Sequence, residues 1–164
     1  MMGDVEKTLI VFKPDSVQRG LVGRILTRFE QVGLKIVATK MIAPDKQHYY
    51  RHYEMITRRG KEKFDVTLEM MVQGPVIAMV LEGVEAVDLV RKLVGATEPK
   101  SAAPGTIRGD FSHMSFQYAD SEGKGVPNLI HASGNIEEAA EEISHWFSDD
   151  ELYSYHRTSE RFTR

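Results

Sequence analysis

From Thr8 to Phe12 the chain runs through Leu9, Ile10 and Val11 without a polar break, and Lys13-Pro14 closes the run. A short apolar run rich in β-branched residues predicts a buried strand, and the proline marks its end because it cannot continue a ladder. Asp15-Ser16 offers a helix cap, after which Leu21, Val22, Ile25, Leu26, Phe29 and Val32 recur at helical spacing until Gly33. Leu34 to Ala43 alternates as a second strand. Between Pro44 and Val72 apolar residues recur at three and four, which predicts two shorter helices with a bend at Arg58-Arg59-Gly60. Val76 to Leu81 reads as a third buried strand, and Val84 to Val94 as a helix stopped by Gly95. The stretch from Ala96 to Pro127 is punctuated by glycine and proline yet is too long for an idle loop. Asn128 to Ser133 predicts a fourth short strand. Asn135 then caps a last helix with apolar positions Ile136, Ala139, Ala140, Ile143, Trp146 and Phe147.

The order β-α-β, helical pair, β-α-β, α predicts an α+β fold of the ferredoxin-like split βαβ kind: a four-stranded antiparallel sheet with helices, a helical hairpin inserted in the middle and a helix appended at the C-terminal end. No internal repeat, low-complexity tract or linker divides the chain, and 164 residues suit one domain spanning 1–164. Twenty-one basic against 24 acidic residues give a formal charge of −3, so no broad positive field points to nucleic acid or to an anionic membrane. Any phosphate recognition must therefore be local. The absence of cysteine removes disulfides, thiolate metal sites and thiol nucleophiles, and fits a reducing cytoplasm. Nowhere do 18 apolar residues run together, and Met1 to Lys7 holds no apolar targeting core, so the expected protein is soluble and untargeted.

Within that frame a few residues stand where chemistry is expected. Lys13 ends an apolar strand, where an ammonium is costly unless it snorkels to solvent or meets an anion, and the helix start that follows favours an anion. Pro104-Gly-Thr-Ile-Arg-Gly-Asp110 sets Arg108 between two glycines, which reads equally as a solvated surface turn or as a guanidinium fork presented to phosphate oxygens. Arg91 on the third main helix and Thr97 just past its end are close enough in sequence to share a site. On an extended segment His131 and Ser133 point to one face. A lone histidine among apolar neighbours is most often a bonded core residue, but Glu142 borders the apolar stripe of the last helix and can reach back to orient an imidazole, while Glu138 and Glu141 face water. The chain has neither a Walker loop nor a G-x-G-x-x-G turn, and His48 and His52 lack the glutamate of a zinc motif.

Taken together, Lys13-Pro14-Asp15, Val17 to Gly23, Gly74 to Gly83, Pro104 to Asp110 and Asn128-Leu-Ile-His-Ala-Ser133 resemble the nucleoside diphosphate kinase family over nearly the whole chain. The resemblance implies transfer of the γ-phosphate of a nucleoside triphosphate to a nucleoside diphosphate, in two half-reactions, through a phosphohistidine at His131. It implies that Lys13, Tyr53, Arg91, Thr97, Arg108 and Asn128 surround phosphates and ribose, with Lys13 also catalytic, and that Ser133 and Glu142 support the histidine. It implies Mg²⁺ carried in with the phosphates rather than held by protein ligands, and a homo-oligomer, a hexamer or alternatively a tetramer.

The chain departs from the family pattern at Gly134, where an aspartate is usual, and between Asp110 and Asn128, where the spacing is roughly ten residues longer. That longer stretch, with Gly123, Gly125 and Pro127, suits an excursion at the nucleotide mouth or a subunit contact. Lys63-Phe64 stands where the family has paired phenylalanines, so Phe64 is either the base-stacking ring or its buried neighbour. Two rival readings are a binding module that uses the same phosphate site without transfer, and a histidine-dependent phosphoesterase. The C-terminal stretch from Tyr153 is basic and aromatic, suited to covering a neighbouring subunit or to fraying.

Overall fold

Every residue from Leu9 to Phe12 is fully buried because the strand that carries them, β1 (Val5–Phe12), has helices on both faces. Leu9 and Val11 point to one core and Ile10 and Phe12 to the other, the alternation that a period of two imposes. The computed structural model describes residues 4–56 and 61–164; the expected bend at Arg58-Arg59-Gly60 lies outside them.

Around β1 the sheet is built from β2 (Lys35–Ile42), β3 (Val76–Val84) and β4 (Ile130–Ala132) in the order β2-β3-β1-β4, every neighbouring pair antiparallel. This is the split βαβ sandwich expected from the pattern. One face is covered by α2 (Val22–Gln31) and α5 (Ala86–Val94), whose Ile25, Phe29, Val90 and Val94 pack on Ile10, Phe12 and Leu81. The other is covered by α3 (Lys46–Ile56), α4 (Lys61–Met71) and α8 (Ile136–Trp146), which bring Tyr49, Leu68, Ile143 and Trp146 onto Leu9, Val11 and Val80.

Several local expectations need correction. Asp15-Ser16 is not the helix cap: the helix starts earlier, with extended Lys13 at the cap and Pro14 in the first position of α1 (Pro14–Gln18), where a missing N–H costs nothing. Gly20, at φ +66°, then separates α1 from α2. The stretch from 96 to 127 contains a short 3-10 turn at Pro99–Ser101 and two short helices, α6 (Ile107–Phe111) and α7 (Phe116–Ser121). On α8 the buried stripe is Ala139, Glu142, Ile143 and Trp146, while Ile136 and Ala140 are exposed, because the helix turns Glu142 into the packed face and leaves its first turn outside. Asn135 does cap α8, its side chain accepting the Glu138 N–H.

The C-terminal stretch neither frays nor stands apart from its own chain. Tyr153 N–H donates to Val37 O, Tyr155 Oη to Ile36 O, and Arg157 to the carbonyls of Gly33 and Leu34, so it runs along the sheet edge at β2 before the short helix α9 (Glu160–Thr163). Buried Lys35 ties it down through Tyr155 O, Glu82 and Glu160. Among the described residues, no helix is long and apolar enough to cross a membrane.

Candidate active site

Pairing sets the direction of the histidine. His131 on β4 lies opposite Val11, and Ser133 just past β4 donates its N–H to Leu9 O, so both side chains face the helix layer that holds α8. Waiting there is Glu142, with no exposed surface. Its carboxylate oxygens lie 3.0 and 3.1 Å from His131 Nε2, and Oε2 also accepts from Ser133 Oγ at 2.6 Å. Ser133 Oγ in turn accepts the Leu9 N–H at 3.2 Å, so the hydroxyl relays the position of β1 to the carboxylate. Glu142 is therefore no bordering residue but the buried centre of the stripe. With a carboxylate at Nε2, that nitrogen carries the proton and Nδ1 keeps its lone pair.

The approach to His131 is held by bonds from distant parts of the chain. Lys13 N–H donates to Leu129 O, and Lys13 Nζ donates to Asn128 Oδ1 at 2.6 Å. The Asn128 amide donates to Thr97 O. Arg108 sends Nε to Asn128 O, one terminal nitrogen to Gly95 O and the other to Ile130 O. The solvated-turn reading of Arg108 is thus overturned: it is buried, with three donors engaged and two left for a ligand. Gly109 permits this, because a Cβ there would sit 2.1 Å from Ala103 O. Between these anchors Leu129 adopts φ +75°, a conformation costly for a leucine, and Asp15 Oδ2 accepts its N–H at 3.0 Å. Asp15 was legible only as a cap; its bond to a residue 114 positions away leaves no local signal.

Lys13, Tyr53, Phe64, Arg91, Thr97, Arg108, Asn128 and His131 all line one cavity of about 300 Å³, at the lower end of small-ligand sites. Ser133 and Glu142 stand behind its wall. Phe64 is half-buried, its ring against Tyr50 and Tyr53. Burial, with Arg108 close by, lowers the Lys13 ammonium to about 8, and only Asp15 opposes this. Burial and Arg91 lower Arg108 to about 10. Crowded cations facing a cavity form a site that an anion relieves. Burial, with Glu142 nearby, raises Tyr53, so its hydroxyl stays protonated.

Among the wall residues that sequence reasoning missed, three stand out. Phe116 and Val126 come from the long stretch, and Glu138, expected to face water, turns its carboxylate to the Gly134 N–H and the Asn135 amide. A Cβ at residue 134 would lie 2.3 Å from that carboxylate, so the glycine makes room for it. His52, buried on α3, stands edge-on to His131 with ring centres 4.6 Å apart. The ligand atoms of His52, His131 and Glu142 lie within 4.8 Å of one another. Trp146 Nε1–H occupies the His52 Nδ1 lone pair, however, which leaves the proton on Nε2 and no lone pair to offer a metal.

The family model for nucleoside diphosphate kinase matches residues 6–152. A nucleoside diphosphate kinase of Borreliella burgdorferi is 46% identical over 159 residues, 95% of each chain, and one of Pyrococcus furiosus is 46% identical over 163 residues, 99% of this chain and 96% of that one. Among solved structures, a transition state mimic of the Borrelia burgdorferi enzyme with bound vanadate and ADP superposes with a TM-score of 0.93 at 45% identity, covering 97% of this chain and 96% of that one. A halophilic nucleoside diphosphate kinase from Halobacterium salinarum in complex with CDP gives 0.84 at 40% identity, covering 97% and 98%.

Proposed function

The chain belongs to the nucleoside diphosphate kinase family, and from that premise we propose that it moves the γ-phosphate of a nucleoside triphosphate to a nucleoside diphosphate through His131. The observation that carries this reading is that His131 Nε2 is bound to Glu142 while Lys13, Arg91 and Arg108 line the same cavity as the imidazole. In the first half-reaction the Nδ1 lone pair attacks the γ-phosphorus. An N–P bond forms, the bond from that phosphorus to the bridging oxygen breaks, and the diphosphate leaves with the electron pair. Glu142 stabilises the positive ring this produces, and Ser133 keeps Glu142 aimed. The second half-reaction is the reverse, with a different diphosphate as acceptor.

Lys13, Arg91 and the two uncommitted donors of Arg108 meet the charge that spreads over the phosphoryl oxygens. Tyr53, Thr97 and Asn128 supply neutral donors and acceptors for the remaining phosphate and ribose oxygens, and Phe64 an apolar face. Mg²⁺ prefers oxygen ligands in octahedral array. Glu138 is the single carboxylate among the described cavity residues, and its oxygens are already engaged, so the cavity fits Mg²⁺ as part of a nucleotide complex rather than in a protein cage. When bound there it neutralises phosphate charge. The described wall contains no second free histidine to activate water, which disfavours the phosphoesterase reading.

From the same family membership we take the protein to be a homo-oligomer, a hexamer rather than a tetramer, in a reducing cytoplasm. Incubation with ATP and Mg²⁺ followed by intact-mass measurement tests the reaction: one acid-labile phosphate per chain, removed by added GDP with formation of GTP, is the expected result. A protein that stays unphosphorylated, or that loses its phosphate only to water, contradicts it.

A further inference from the structure

The stretch that exceeds the family spacing is built into the nucleotide cavity. Its helix α7 begins at Phe116, whose ring lines the same cavity as Phe64 and is about one-third exposed. Three bonds fix that position. Glu98 Oε1 accepts the Phe116 N–H at 2.9 Å, Lys100 N–H donates to Met114 O, and Ser115 Oγ caps α7 by accepting the Tyr118 N–H. The return of the stretch is pressed onto α4, the helix that bears Phe64. Gly125 is buried there, and a Cβ on it would stand 2.9 Å from Val66 O, which brings the neighbouring Val126 into the cavity wall.

We infer that Phe116, presented by the extra length between Asp110 and Asn128, forms an aromatic wall of the nucleobase site and biases the enzyme toward purine nucleotides. This rests on the transfer reading of the same cavity. The cations and His131 take the phosphates, so the base must reach the apolar part of the wall, and Phe64, Phe116 and Val126 supply it. None of these three side chains offers a donor or acceptor to read base edges. What these three contribute to selection then depends on ring area, and a bicyclic purine covers more of an aromatic face than a pyrimidine does. Packing alone is the competing role for Phe116, but a ring that only held α7 in place would not distinguish one base from another.

The test compares Phe116→Ala, Phe116→Tyr and Glu98→Ala with the unaltered protein, using ADP, CDP and base-free ribose 5-diphosphate as phosphate acceptors. Phe116→Ala is expected to raise the KM for ADP about tenfold and for CDP about threefold, to leave ribose 5-diphosphate unchanged and to keep kcat within about twofold. Phe116→Tyr keeps the face and the ADP value, and Glu98→Ala, which frees the start of α7, shifts ADP in the same direction as Phe116→Ala. Calorimetric dissociation constants for ADP and CDP read the same contact without any phosphate transfer, so an unaltered protein that fails to exchange phosphate would strike the transfer reading alone. Equal shifts for all three acceptors, or none with ADP, would overturn the base-wall assignment.

Discussion

Asp15 Oδ2 and the backbone N–H of Leu129 are joined at 3.0 Å across 114 residues, and the bond holds a leucine at φ +75° two positions before His131. A left-handed leucine costs ~1–2 kcal/mol, and its fully buried side chain leaves it no room to relax. Removing the acceptor leaves an N–H without its partner as well. Asp15→Ala is therefore expected to lose ~1–3 kcal/mol of stability to urea and to slow phosphorylation of His131 by at least tenfold, whereas Asp15→Asn retains an acceptor oxygen and most of both. Unchanged unfolding and turnover in Asp15→Ala would show that β4 holds its own shape.

The two arginines of the cavity should separate by what else they bond. Arg108→Lys strips bonds from three carbonyls, those of Gly95, Asn128 and Ile130, and one ammonium cannot reach all three. It should lose stability by ~1–3 kcal/mol and turnover by ~10²-fold or more. Arg91 is exposed on α5, so Arg91→Lys should slow turnover and leave the urea midpoint in place. Parallel denaturation and rate measurements on the two variants check the contrast.

Lys13 predicts the alkaline limb of the pH profile. Burial and Arg108 bring its ammonium to about 8 from an ordinary 10.5, so the free enzyme loses this cation as pH rises through about 8. Nucleotide phosphates favour the charged form. The value of kcat/KM, which reports the free enzyme, should decline above about pH 8, while kcat, which reports the complex, should hold to higher pH. Lys13→Met should abolish the separation between the two limbs.

Acid should loosen the packing of α3 on α8. His48 and His145 stack at 4.1 Å, and Trp146 packs edge-on against both His48 and His52. Burial and His145 lower His48 to about 4, and burial with three neighbouring histidines and Lys13 holds His52 well below its ordinary value. Both rings are neutral in the fold, whereas an unfolded chain protonates them near 6.5. Stability is thus full above about pH 6.5 and declines as pH falls toward 4, with solvent softening the contribution of half-buried His48. Urea titrations between pH 7 and 4 should show this slope, and His48→Gln should flatten it.

The strands were legible where burial on both faces makes a continuous apolar run, as in Leu9 to Phe12, and α8 where Asn135 supplies a cap that pattern alone can find. The helices between 96 and 127 were not, because α6 and α7 run for five and six residues, too short for a period of 3.6 to show itself. Glu142 was placed at an edge because a carboxylate does not count toward an apolar stripe; two hydrogen-bonding partners are what allow it inside. The residues with local context, His131 beside Ser133 and Arg108 between glycines, could be singled out from the sequence. Asp15, His52 and Phe116 take their places through contacts made only after the chain has folded.

The contacts of Glu142 predict which nitrogen of His131 reacts. Phosphorylate the protein with ATP and Mg²⁺, then locate the phosphate by heteronuclear NMR of the intact protein and by alkaline hydrolysis to the two phosphohistidine isomers. With Nε2 bound at 3.0 and 3.1 Å to Glu142, the phosphate is expected on Nδ1 of His131 alone. Phosphate on Nε2, or on another residue while His131 stays free, would overturn the role assigned to Glu142.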